Sequence, residues 1–133
     1  MEQLHLEVLT PEKMALESEV SSVSVQGREG RLGILPRHTA LISLLNFGVL
    51  EYEKDGARHK VLCGEGMVET VDNRITVLVR SAEVLDHIDI TRAKGALERA
   101  KSRVHSRDKD LDSIRAEAAL YRAVERLRFT KHL

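Results

Sequence analysis

The sequence predicts an α+β protein: an N-terminal antiparallel β-sandwich or flattened barrel over residues 1–85, then a C-terminal antiparallel two-helix hairpin over residues 86–133. Three observations carry this. Before about residue 85 the apolar residues alternate or run in short blocks between turn signals; beyond it they recur at helical spacing. The stretch Glu83 to Val104, EVLDHIDITRAKGALERAKSRV, is the seam between the two regimes. Past the seam one pattern occurs twice, RAKGALERAKSRV at 92–104 and RAEAALYRAVERL at 115–127, offset by 23 residues. A duplicated helical segment with a short polar connection is an antiparallel helix pair.

Taken in order, Leu4, Leu6 and Val8 alternate with His5 and Glu7, a half-buried strand that stops at Thr10-Pro11. Met14 to Glu19 reads as a weaker strand. Val20, Val23 and Val25 lead into Gly27-Arg28-Glu29-Gly30, a turn whose glycines suit positive φ. Residues 32–45 are largely apolar but hold a Gly and a Pro, too irregular for a regular helix. Strand character resumes at Gly48–Tyr52. Lys54-Asp55-Gly56 carries the Asp-Gly hairpin signal, and Ala57–Cys63 and Gly66–Val71 follow as strands. Asp72-Asn73 turns into Arg74–Arg80, the clearest strand of the chain. Eight to ten short strands at this spacing indicate a sandwich or barrel. Asp86 or Asp89 caps the first helix, with Ile88 placed to staple the turn or to lie against a flat ligand.

At about 100° per residue, Ala93, Ala96, Leu97, Ala100 and Val104 share one stripe of the first helix, with Arg92, Arg99 and Arg103 beside it. The second helix repeats this with Ala116, Ala119, Leu120, Ala123 and Leu127 beside Arg115, Arg122 and Arg126. Alanine stripes let two helix axes approach, which draws the arginine rows together. Guanidinium groups converging on one groove repel unless an anion or carboxylates sit among them. An arginine row beside an apolar stripe is equally the pattern of a solvated helix face. Two such helices bury little apolar area and need a dock, a partner or a ligand, which makes the hairpin a candidate moving part.

Composition narrows the function classes. The 133 residues carry 21 Lys/Arg and 21 Asp/Glu, but residues 86–133 hold 12 basic against 8 acidic, so the helical half is net positive and faces anions. Two Tyr, two Phe, no Trp and zero net charge argue against nucleic acid. The single cysteine, Cys63, cannot form an internal disulfide and reads as a small core residue. The N-terminus lacks a signal-peptide layout and no run of 18 apolar residues occurs, so a chain that spans no membrane is expected. There is no phosphate-binding loop, no recurring carboxylate pair and no Ser/Cys–His arrangement, so no enzyme activity is expected. The six histidines are scattered without metal-ligand spacing, and the sequence requires no metal.

Residues 27–45, GREGRLGILPRHTALISLL, resemble the segment of the epsilon subunits of F-type ATP synthases that runs through Gly-Ile-Leu-Pro-Gly-His. The two-part layout is similar too, and Ile88-Asp89-Ile90-Thr91-Arg92-Ala93 resembles the Ile/Leu-Asp-x-x-Arg-Ala nucleotide motif of ATP-binding, Bacillus-like bacterial members. Arg37 departs from the pattern, standing where that family usually has glycine. The resemblance implies a non-catalytic rotor subunit of the central stalk, peripheral on the cytoplasmic face of the bacterial membrane and held there through the complex. The implied partners are the gamma subunit, near His38, and the c-ring, near Arg28, Glu29, Gly30 and Arg31. The hairpin would fold compactly or extend along gamma to the alpha/beta catalytic head, where it blocks ATP hydrolysis.

By the same resemblance ATP is a regulatory ligand that favours the compact form. Its site would comprise Glu83, Ile88, Asp89, Arg92, Ala93, Arg99, Arg122 and Arg126. Ile88 and Ala93 would offer apolar and backbone surface to adenine, and Asp89 would accept from the ribose or the adenine amino group or cap the helix. The four arginines would meet phosphate oxygens, and Glu83 would accept from base or ribose or orient an arginine. Three or four charge-assisted bonds, less ordering costs, leave about −4 to −8 kcal/mol, millimolar to micromolar affinity. The rival readings are the same rotor subunit with an inhibitory hairpin that binds no nucleotide, and a free-standing cytosolic ATP sensor.

Overall fold

The computed structural model describes residues 2–84, 90–105 and 113–130. The helix cap at Asp86 or Asp89 and the site residues Ile88 and Asp89 lie outside them. The chain divides into two compact units, residues 1–84 and 85–133.

The first unit is all β. Its strands are β1 (Leu4–Leu9), β2 (Met14–Val20), β3 (Ser22–Gly27), β4 (Gly30–Ile34), β5 (Leu41–Leu45), β6 (Gly48–Lys54), β7 (Ala57–Cys63), β8 (Gly66–Val71), β9 (Arg74–Val79) and β10 (Ala82–Val84). They form one sheet in the order β10-β7-β6-β3-β5-β8-β9-β1-β2, with β4 paired to β3. The sheet curls until β2 approaches β6, so its concave face encloses the core. The alternation read from the sequence sets that face: Leu4, Leu6, Val8, Val23, Val25, Ile75 and Val77 are each at most 2% exposed.

The turns follow their chemistry. Asp55 and Gly56 have φ of 51° and 79°, and Asp72 and Asn73 have φ of 50° and 62°. Two consecutive left-handed residues make a type I′ turn, whose twist matches the strands it joins. The irregular segment 32–45 resolves into β4, a turn over Pro36–His38 and β5. Arg37 adopts φ 69°, the left-handed conformation that glycine takes most readily. Its backbone N–H donates to Asn73 Oδ1 at 2.7 Å, and its guanidinium forks onto both carboxylate oxygens of Glu2 at 2.7–3.0 Å. The arginine therefore retains the glycine-like backbone and anchors the turn from its side chain.

One pairing departs from the antiparallel expectation. β1 runs parallel to β9, with His5 opposite Arg74 and Val8 opposite Val77, and antiparallel to β2 on its other side. A period of two identifies a strand and its faces but carries no direction, so the sequence could not show this. β8 and β9 approach closely at Gly66, where a Cβ would lie 1.9 Å from the carbonyl oxygen of Leu78.

The second unit holds α1 (Ile90–His105) and α2 (Ser113–Phe129). Its core is Ala93, Leu97, Ala123 and Leu127, flanked by Ile90, Ala96, Leu120 and Val124. The first half of α1 packs on the second half of α2, as an antiparallel hairpin requires. Ala100 and Ala116 are also buried, 2% and 3% exposed, so both predicted stripes face inward. At the end of α2 the Thr130 hydroxyl donates within reach of the Arg126 and Leu127 carbonyls, both at 3.1 Å, capping them.

Candidate functional site

The stripe geometry positions the arginines. Arg92 and Arg99 lie on exposed positions of α1, seven residues and therefore about 10 Å apart along its axis. Arg122 and Arg126 lie one turn apart on α2 and are half-buried. With the helices antiparallel, Arg92 and Arg126 fall towards one end of the hairpin and Arg99 and Arg122 lie further in. Two helices thus supply four guanidinium groups to one hairpin, a donor set suited to a polyanion. Arg92, Arg122 and Arg126 all have interaction partners within the protein, as does Glu83.

The sequence itself makes room for Arg99. Gly95 replaces the alanine found at the matching position of the second copy, Ala118. A Cβ added to Gly95 would come 3.2 Å from Arg99 Nη1, so the guanidinium folds back over the bare backbone. Ala93, by contrast, is only 4% exposed and its methyl group is part of the interhelical core. What it can present to a ligand is backbone, not apolar surface. Glu83 belongs to the sheet unit, half-buried on β10 opposite Leu62 of β7.

The convex face of the sheet carries a feature the sequence reading missed. Reading across five strands, Leu44 of β5 stands opposite Met67 of β8, Met67 opposite Leu78 of β9, Leu78 opposite Leu9 of β1, and Leu9 opposite Met14 of β2. Directly opposed residues share a face, so these five side chains form a continuous apolar row on the outside. Leu44 is 52%, Leu78 45% and Met14 47% exposed, and Ile42, two residues along β5, is 64% exposed. A β-bulge at Val8/Leu9 brings Met14 into the row. The available signal was the loss of alternation: LISLL in β5 and the final Leu9 of LHLEVL are apolar on both faces.

The two expected partner segments flank this face. Arg28 at the β3–β4 turn donates its N–H to the Leu44 carbonyl at 3.2 Å, which puts the 28–31 turn beside one end of the row. Arg31, at the start of β4, is tied to Ser24 and to the Val49 carbonyl, its Nη1 at 2.6 Å from the latter. His38 sits near the opposite end of β5, its ring nitrogen bonded to the Thr39 carbonyl at 2.6 Å. A depression of about 370 Å³ beside β3, lined by Ser22, Ser24, Glu51, Glu53 and Arg58 among others, has more acid than base and suits a phosphate poorly. Cys63 is buried, and burial pushes its thiol up to about 12, where it is neutral and unreactive at physiological pH.

One histidine is not isolated. Scattered in sequence, the histidines include one, His5, that the β1–β2 pairing sets among three glutamates, Glu7, Glu17 and Glu19. His5 and Glu7 share a face of β1 through the strand's period of two, and the cross-strand register adds Glu17 and Glu19.

Comparison with known proteins matches both units. The family model described as ATP synthase, Delta/Epsilon chain, beta-sandwich domain covers residues 3–84, and its long alpha-helix domain counterpart covers residues 86–131. An ATP synthase epsilon chain of Nitratidesulfovibrio vulgaris is 43% identical over 125 residues, 94% of this chain and 93% of its own. That of Symbiobacterium thermophilum is 41% identical over 129 residues, 96% of this chain and 93% of its own. Among solved structures, a chain of the Euglena gracilis mitochondrial ATP synthase (OSCP/F1/c-ring, rotational state 1) superimposes with a TM-score of 0.84 at 26% identity, over 98% of this chain and 82% of that one. A chain of the Tetrahymena thermophila mitochondrial ATP synthase central stalk and c-ring shares the fold, with a TM-score of 0.66 at 17% identity over 97% of each.

Proposed function

The chain belongs to the delta/epsilon chain family of ATP synthase, and on that premise we propose that it is the epsilon subunit of a bacterial F-type ATP synthase, a non-catalytic part of the central stalk that turns with the rotor. The observation that carries the assignment of a partner face is the apolar row Leu44–Met67–Leu78–Leu9–Met14. A soluble protein leaves such a stripe outside where another protein covers it. In this reading the row and Ile42 lie on gamma, and the 28–31 turn at its margin meets the c-ring. The chain has no described helix long and apolar enough to cross a membrane, and it would reach the cytoplasmic face of the cell membrane through these partners.

The hairpin is the regulatory part. Extended towards the alpha/beta head it would inhibit ATP hydrolysis, and ATP held by Arg92, Arg99, Arg122 and Arg126 would favour the compact form. The positive balance of residues 86–133 and the four arginines on one hairpin support this reading. The membership of Glu83, Ile88, Asp89 and Ala93 in the ATP site rests on motif resemblance alone.

Co-purification with gamma tests the stalk role. Wild type should be retained and Leu78→Glu lost while its thermal unfolding is unchanged; equal retention of both would remove the row from the interface. Calorimetric titration with ATP tests the ligand. Saturable binding weakened by Arg122→Ala supports the sensor, whereas equal binding by both proteins would remove that arginine from the site. An absence of heat up to several millimolar would leave an inhibitory hairpin without nucleotide.

A further inference from the structure

Outside the arginine hairpin and the apolar row, the strongest cluster of ligating side chains among the described residues stands on the convex face of β1 and β2. Register places it there: His5 is opposite Glu19 and Glu7 opposite Glu17, all four on the face turned away from the core. His5 Nδ1 is hydrogen-bonded to a Glu19 carboxylate oxygen. Its other ring nitrogen, Nε2, faces Glu7 Oε1 at 3.1 Å and Glu17 Oε1 at 3.3 Å.

That arrangement poses an electrostatic problem. With Nδ1 bonded to Glu19, Nε2 can meet the two carboxylate oxygens in two ways: protonated and donating to Glu7, or as a lone pair sharing a cation with them. Arg74, opposite His5 on β9, reaches Glu7 at 3.6 Å and balances one of the three carboxylates. Two negative charges remain around the imidazole, whose pKa the hydrogen bond with Glu19 raises, and a divalent cation can take the place of the Nε2 proton among the carboxylates. The distances suit one. Ligands about 2.0–2.1 Å from a tetrahedral zinc lie about 3.3 Å from each other, and the Nε2–oxygen separations are 3.1 and 3.3 Å. The three ligand atoms all fall within 4.8 Å of one another. Metal-ligating histidines commonly donate their second N–H to a carboxylate, which fixes ring and tautomer. Glu19 is so placed.

We propose that His5 Nε2, Glu7 and Glu17 form a surface binding site for a zinc-class divalent cation, with Glu19 as its positioning carboxylate and water completing the coordination. One imidazole with two carboxylates selects borderline ions such as Zn²⁺ over Mg²⁺, which prefers all-oxygen octahedra. The ion would clamp the edge strand β2 to β1 from outside, next to the apolar row.

The test uses the full chain and Zn²⁺ alone, titrated by calorimetry and by competition with a chromophoric chelator. Wild type should bind one equivalent that His5→Gln and Glu17→Gln each weaken at least 100-fold. Glu19→Gln, which removes only the orienting acceptor, should weaken it about 10–100-fold, and His59→Gln should leave it unchanged. Zn²⁺ should also raise the unfolding temperature of wild type and leave that of His5→Gln where it was. Because His5 and Glu17 point away from the core, circular dichroism with chelator present should show both variants folded. Absence of wild-type binding, or an equivalent that survives His5→Gln, would place any zinc elsewhere and overturn the proposal. A site tighter for Mg²⁺ than for Zn²⁺ would overturn the choice of ion class and with it the role given to His5.

Discussion

Replacing Gly66 with alanine tests how closely β8 and β9 must approach. The added Cβ would lie 1.9 Å from the Leu78 carbonyl oxygen, 2.9 Å from its carbonyl carbon and 2.8 Å from Val79 Cα. All three are backbone atoms, so no rotamer change relieves the clash. The strands must part by more than an ångström where Gly66 faces Val79 and Met67 faces Leu78. Overpacking of this kind costs about 1–3 kcal/mol, and one or two ladder hydrogen bonds add about 1 kcal/mol each. A loss of about 2–5 kcal/mol results, against roughly 4–12 kcal/mol for a unit of 84 residues. Thermal unfolding followed by far-ultraviolet circular dichroism should show a fall of about 8–40 °C. Gly33→Ala is the internal control: Gly33 has nothing within 4 Å of a new Cβ and no positive φ, so it should move less than about 0.5 kcal/mol. A Gly66→Ala protein as stable as Gly33→Ala would mean that β8 and β9 are not packed as described. A folded but destabilised variant should also bind gamma less well, because Met67 and Leu78 lie at the middle of the apolar row.

The buried Cys63 thiol should resist alkylation in native buffer and react at the rate of a free thiol only in denaturant; ready labelling of the folded protein would contradict its burial. Its raised pKa also fixes a sign: the contribution is intact below pH 9, the ordinary value, and is lost as pH rises towards about 12, so Cys63→Ser should flatten the alkaline end of the stability profile. Gly95→Ala should raise the helicity of the hairpin by about 0.5–1 kcal/mol while crowding Arg99 Nη1 at 3.2 Å; if Arg99 binds phosphate, ATP titration should weaken in the same variant. Arg37→Ala keeps the demand for φ 69° and loses the Glu2 fork, so the 36–38 turn should loosen, with faster exchange of the amide at position 37 but little change in global stability because the pair is exposed. Unchanged exchange would show that the Asn73 bond alone holds the turn.

Much of this architecture is legible because it is local. Alternation gave β1, β3 and β9 their faces, Asp55-Gly56 and Asp72-Asn73 gave the type I′ turns, and the 23-residue repeat gave both helices and their inward stripes. What stayed hidden depends on pairing across the sheet. The parallel β1–β9 ladder, the apolar row and the His5 cluster exist only once register is known: the first two join strands far apart in sequence, and the third needs the β1–β2 offset that sets Glu19 and Glu17 across from His5 and Glu7. Arg37 was legible as an oddity, but not that its side chain and Asn73 would hold an arginine in a glycine conformation. The arginine rows were legible as a helix face; their ligand is not written in their spacing. Ala93 illustrates the converse, a residue placed in the ATP site by resemblance whose methyl group packing assigns to the interhelical core.

The parallel ladder between β1 and β9 bears on how the protein is made. His5 pairs with Arg74, so the first strand leaves the ribosome nearly 70 residues before the neighbour it lies beside. At about 5–20 residues per second it waits several seconds, held only by its hairpin with β2, while Leu4, Leu6 and Val8 stay wet. Closing so long a loop is slow, and pairings of this kind lengthen folding times. Once Arg74–Val79 has emerged, every strand but the three-residue β10 is available, and the sheet can close before the helical repeat is fully synthesised. The sandwich can therefore close while the second helix is still being made.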